Sequence, residues 1–199
     1  MGLEFKFPPG ATPLDPDDMA GLLPSHIRNQ GELNEWQFEN VAKGEEWAFS
    51  TRHGEILSIE FLLSLHRRMF GDTWSWAGEI RSKDVLPVGV SPEQIRPALT
   101  LLLEDVKAQI QYKSWDMSEI AARFHHRLVA IHPFRDGNGR FSRTMTDLLL
   151  FQAGRKRFEW GSHLEREGEA RAKYIAALQA ADNKDYRPLF DLVGIRTPN

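Results

Sequence analysis

Two helical patterns meet at one glycine-bearing turn. Ile120, Phe124 and Leu128 recur at a spacing of four, and Met145, Leu148 and Leu149 take up the three-and-four spacing again on the far side. Such spacing is that of a helix with one face buried. The stretch between them, Ile131-His132-Pro133-Phe134-Arg135-Asp136-Gly137-Asn138-Gly139-Arg140-Phe141-Ser142-Arg143, has to turn the chain from one helix into the next. A helix–loop–helix corner is therefore fixed before anything else is known.

The residues of that corner share one kind of chemistry. Gly137 and Gly139 bracket Asn138, so the backbone there can adopt positive φ and approach a ligand without interference from a Cβ. The helix that follows offers unpaired N–H groups and the positive end of its dipole, a cradle for an anion. Arg140 and Arg143 stand three apart near that end, where a cation is intrinsically disfavoured, which points to a polyanion between them. Asp136 supplies a hard oxygen suited to a Mg²⁺ that bridges phosphates. His132 is the group that can take a proton near neutral pH. Singly, each residue also fits a plain turn or a helix cap; their conjunction in one turn points to a phosphate-handling site.

The run matches at every defined position the signature of the Fic family, His-x-Phe-x-(Asp/Glu)-Gly-Asn-Gly-Arg-x-x-Arg. A second segment, Trp76-Ala77-Gly78-Glu79-Ile80-Arg81, resembles the Trp-Ala-Gly-x-x-Arg stretch of the same family. The resemblance implies an all-α, Fic-type helical bundle with a small β-hairpin flap. It also implies a protein adenylyltransferase, moving AMP from Mg-ATP to a Ser, Thr or Tyr hydroxyl of a target protein. In such an enzyme His132 would be the catalytic base and Asp136 the Mg²⁺ ligand. Gly137, Asn138 and Gly139 would form the anion hole, and Arg140 and Arg143 would hold the β- and γ-phosphates. Tyr174 would wall the adenine pocket, although Ile175 stands where a second tyrosine is usual and Asp182 where asparagine is frequent. The phrase Leu33-Asn34-Glu35-Trp36 and the ending Tyr174–Leu178 to Arg187-Pro188-Leu189 further resemble the bacterial subgroup called mobile mystery protein B, which implies a helix-turn-helix DNA-binding protein as partner.

With 199 residues and 41% hydrophobic content, the chain has enough material for one full-sized core. Pro8, Pro9, Gly10 and Pro13 predict an extended arm over 1–14, leaving 15–199 as one domain with its core over 55–155 and C-terminal helices over 165–193. Net charge −3 offers no basic surplus for nucleic acid. The absence of cysteine excludes disulfides, and the start lacks the build of a secretory signal, so a cytoplasmic place is expected.

Helices are predicted from Asp15-Pro16 to before Pro24, from Glu32 to about Phe49 with Leu33, Trp36, Val41 and Trp47 inward, and from Leu57 to Phe70. Others begin at Ser91-Pro92 and at Asp116, whose Asp-x-x-Glu spacing is that of a capping box. Val85, Leu86, Val88 and Val90 make 82–90 the strand-forming stretch, read as the flap, with Val85 and Val88 gripping an extended target segment. Glu39-Asn40 supplies the end of the Ser/Thr-x-x-x-Glu-(Gly/Asn) pattern through which many Fic proteins are held inactive, but Glu35 replaces the hydroxyl; Glu39 is thus the candidate inhibitor, with control by a separate protein equally open. His125 and His126 read as packing or surface residues, His125 a neighbour of His132.

Rival readings keep the fold with phosphate or UMP transfer, make His132 and Asp136 a metal phosphohydrolase, or make the chain a nucleotide sensor for a DNA-binding regulator. No Gly-x-x-x-x-Gly-Lys-(Ser/Thr) occurs, which excludes a P-loop enzyme.

Overall fold

A computed structural model describes residues 15–85, 89–161, 164 and 168–195. The expected arm over 1–14 lies outside the described residues.

Local sequence sets most helix boundaries. Helix α1, Pro16–Met19, starts with proline in its first turn and is capped by Asp15, whose carboxylate accepts from the Asp18 N–H at 2.7 Å. Asn29 caps α2, Gln30–Ser50, and Ser58 caps α3, Ile59–Phe70, each side-chain oxygen accepting from the N–H three residues on. Helix α4 runs Pro92–Tyr112 and ends on Lys113 in the left-handed region, φ 51°. Helix α5, Met117–Ile131, opens on Asp116. Helix α6, Asn138–Gln152, opens on Gly137 without a side-chain cap. Helices α7, Glu169–Asp182, and α8, Arg187–Leu192, complete the chain.

The main core gathers the inner faces of α2 to α6, with Leu62, Leu65, Leu99, Leu102, Phe124, Leu128, Phe134, Phe141, Met145 and Leu148 all buried. Each such side chain contributes about 1.5–3 kcal/mol by leaving water. A smaller cluster of Ala122, Ala177, Leu189, Phe190 and Val193 seats α7 and α8 on the outer side of α5. Helix α2 lies tight on α3: a Cβ at Gly44 would stand 2.6 Å from Met69 Cγ and 2.8 Å from its Cα. Asn40 Oδ1 also accepts from Thr73 Oγ1 at 3.1 Å. The two tryptophans of the Trp-Ala-Gly segment are packing residues, stacked with ring centres 4.9 Å apart.

No β-hairpin forms among the described residues. The isolated bridge Leu22–Trp74 is the β-type pairing found there. Val85 lies in irregular backbone, and Val88 falls outside the described residues. Backbone groups on either side of the expected hairpin are bonded elsewhere. The N–H groups of Arg81 and Val90 donate to Pro133 O and Ile131 O at 3.0 and 3.3 Å. The carbonyls of Lys83 and Val90 accept from the Arg81 guanidinium. No helix among the described residues is long and apolar enough to cross a membrane.

Candidate functional site

The corner between α5 and α6 closes on itself through Asn138. Its Oδ1 accepts from Phe134 N–H at 2.9 Å and its Nδ2 donates to Phe134 O at 2.8 Å. This buried side-chain amide staples the loop. Gly137 takes φ 79°, and a Cβ there would stand 2.4 Å from Phe70 Cζ, so the turn admits glycine alone at this point. Gly139 already belongs to α6, and a Cβ on it would meet only Arg143 Nη1, at 3.5 Å. The first turn of α6 contains no acidic residue and receives no side-chain cap from Gly137, so its own sequence leaves its leading N–H groups uncapped.

His132 ends α5 in the left-handed region, φ 55°, rare for a residue with a Cβ. Arg81 holds the turn: its buried guanidinium donates from Nε to His132 O at 2.7 Å and from Nη1 to Lys83 O at 2.7 Å, and from Nη2 to Val90 O. Burial pushes the His132 imidazole down to about 4, and the Arg81 charge pushes the same way, against the Asp136 carboxylate and the Val129 carbonyl, which favour the cation. His132 is thus neutral near pH 7 and carries a nitrogen able to accept a proton.

Asp136 and Arg140 meet across one turn, Nη2 to Oδ2 3.4 Å, and Gln37 of α2 bridges them. Behind the loop, His66 receives the Gly78 N–H on Nδ1 at 2.9 Å, which leaves its proton on Nε2, 3.1 Å from Asp136 O. Stacked on Phe134 at 3.7 Å and buried, it is pushed down to about 4 by desolvation and ties the Trp-Ala-Gly segment to the corner as a neutral group. Neither Gln37 nor His66 was read from the sequence as belonging here, and no local motif marks them.

Arg143 stands over the ring of Tyr174, 5.7 Å from its centre. Tyr174 is buried, and its hydroxyl lies 2.9 Å from His125 Nε2. His125 packs on Trp160 and is pushed down to about 3, chiefly by burial. It serves Tyr174 rather than His132. His126 reaches Asp182 Oδ1 at 2.8 Å and the Tyr186 hydroxyl at 3.2 Å, so the two histidines pin α7 and α8 to α5.

Glu39 is exposed. Two residues on from Gln37 it points about 200° away round the helix, off the face that meets the corner. The α2 carboxylate that does reach α6 is that of Glu45, which accepts from Thr144 Oγ1 at 2.9 Å. Among the described residues no cluster of three His, Cys, Asp or Glu could hold a metal unaided. A single carboxylate at Asp136 fits Mg²⁺ carried by phosphates, since that ion keeps several waters and takes one or two protein carboxylates.

A model described as Fic/DOC family matches residues 56–150, a span that contains the whole corner. Over that span the chain carries a Fic/DOC family domain. Its Fic domain is similar to the protein adenylyltransferase fic-1 of Caenorhabditis elegans, 35% identical over 144 residues, covering 70% of this chain and 27% of that protein. The protein adenylyltransferase Fic of Aedes aegypti is 31% identical over 138 residues, covering 67% of this chain and 26% of its own length. The chain thus spans about a quarter of these curated relatives. Among solved structures, Fic-1 of C. elegans, residues 134–508, superposes with TM-score 0.63 at 30% identity, covering 79% of this chain and 48% of that one. BepC of Bartonella tribocorum with bound AMPPNP superposes with TM-score 0.68, covering 87% of this chain and 90% of its own. At 22% identity this last likeness speaks for the fold alone.

Proposed function

We propose that the chain is a protein adenylyltransferase, moving AMP from ATP to a Ser, Thr or Tyr hydroxyl of a target protein. The observation that carries the reading is the pairing of a neutral, half-buried His132 at the end of α5 with the first turn of α6, which has no side-chain cap and carries Arg140 and Arg143 close by. It is a base beside an anion cradle. The activity for which the relatives are named, protein adenylyltransferase, is in keeping with it.

In this mechanism the phosphates lie over Gly137, Asn138 and Gly139, whose backbone N–H groups and helix dipole oppose their charge. Arg140 and Arg143 bind the β- and γ-phosphates and Asp136 faces the Mg²⁺ that accompanies them. That ion supplies charge neutralisation at the leaving pyrophosphate. His132 takes the proton of the target hydroxyl as the oxygen attacks the α-phosphorus. The bond from that phosphorus to the β-bridging oxygen breaks, pyrophosphate departs and AMP remains esterified to the target. Positioning and electrostatic stabilisation carry most of the acceleration. Tyr174 lines the base pocket. Residues around Val85 and Val88 hold the target segment, residues 15–199 act as one domain, and the protein works in the cytoplasm beside a helix-turn-helix DNA-binding partner.

Incubation with ATP labelled separately on the α- and γ-phosphates, with and without cell lysate, tests the reaction. Label should pass to protein from the α position only, and His132→Ala should abolish transfer while nucleotide binding survives. Transfer from γ would make the chain a kinase; binding without transfer by the wild type would make it a sensor.

A further inference from the structure

Asp136 and Arg140 do not stand alone. Gln37, only 3% exposed, donates from Nε2 to Asp136 Oδ2 at 2.7 Å and accepts at Oε1 from Arg140 Nη1 at 2.9 Å. Arg140 Nη2 adds a contact to the same Oδ2 at 3.4 Å. All the described side-chain hydrogen bonds of Asp136 thus converge on one oxygen, and its side chain as a whole retains 23% exposure. A primary amide is an uncharged group able to donate to a carboxylate with one end while accepting from a guanidinium with the other. A glutamate in its place could not donate and would add a like charge.

We infer that Gln37 is a positioning residue of the phosphate site, delivered by α2 from outside the matched span 56–150, and that it fixes Asp136 and Arg140 so that the second carboxylate oxygen faces an incoming Mg²⁺–nucleotide. The inference rests on the proposed nucleotide chemistry. Helix α2 supports this, being held against α3 by the Gly44–Met69 approach and against the turn after α3 by the Asn40–Thr73 hydrogen bond. A carboxylate that ligates a metal is commonly oriented by a hydrogen bond to its other oxygen, and removing such a partner typically costs 10–100-fold in metal affinity.

The test is calorimetric titration of AMPPNP into the whole chain at a series of Mg²⁺ concentrations, for wild type, Gln37→Met and Gln37→Asn. Methionine keeps the volume and loses both hydrogen bonds. Asparagine keeps the amide but is one methylene too short to span both partners, and it carries the test if the methionine variant does not fold. The expected result is that either variant needs about 10–100-fold more Mg²⁺ to reach half of its nucleotide affinity gain, while metal-free binding persists. An unchanged Mg²⁺ requirement would show Gln37 to be packing alone, and a lowered one would show it to be a restraint; both overturn the inference and leave AMP transfer standing. Wild-type protein that binds no AMPPNP at any Mg²⁺ concentration overturns the nucleotide reading itself and the inference with it.

Discussion

At the scale of single residues, the two glycines of the corner have different jobs although the sequence reads them as a pair. Gly137 is demanded by the fold: it has φ 79°, and Phe70 stands where a Cβ would go. Gly139 has ordinary space around it. Gly137→Ala should therefore lower stability by about 2–4 kcal/mol, from left-handed strain plus overpacking. Gly139→Ala should leave stability within about 1 kcal/mol of wild type or raise it, since alanine is the better helix former. Its methyl group would nevertheless crowd the approach of the phosphates, so transfer should fall. Urea unfolding midpoints and labelled-AMP transfer, measured on both variants, check the contrast; equal destabilisation would contradict it. The motif residues were legible because their chemistry is local. Gln37, His66 and Arg81 reach the corner from 99, 70 and 51 positions away, and sequence spacing carries no sign of such contacts.

Among elements, helix α2 was found in the sequence but its inward face was misread. Trp36, Val41 and Trp47 suggested an apolar stripe, whereas the buried positions are Leu33, Gln37, Asn40, Gly44 and Ala48. Small and amide residues face inward because the helix lies close to α3 and satisfies the corner, while the large apolar side chains pack at its flanks. That face is also why Glu39 ends in solvent. In the stretch 82–90 the described residues form no hairpin for a related reason: Arg81 binds the carbonyls of Lys83, Val90 and His132 instead. Replacing Arg81 with Met should strand three carbonyls and cost about 2–4 kcal/mol. It should also raise the His132 midpoint from about 4, since a repelling charge is gone while burial remains. A higher midpoint keeps the imidazole protonated over more of the acid range, so the acid fall-off of transfer should move to higher pH. Imidazole NMR titration of Arg81→Met and wild type reads this directly; an unmoved midpoint would separate Arg81 from the base.

Across the whole molecule, the all-α class and most helix boundaries were legible because caps and apolar periods are written locally: Asp15, Ser58, Ser91 and Asp116 each stand at a helix start. How α7 docks was not, since His125–Tyr174 and His126–Asp182 join helices far apart in sequence. The result is a bundle in which α2, α5, α6 and α7 all supply groups around the same corner. A crystal structure of the chain with Mg²⁺ and AMPPNP is the most direct measurement of whether that corner is a nucleotide site. The account predicts phosphates over the first turn of α6, both Arg140 and Arg143 on them, Mg²⁺ at Asp136 and the α-phosphorus facing the His132 imidazole. Nucleotide bound elsewhere, or bound here with His132 turned from the α-phosphorus, would contradict it.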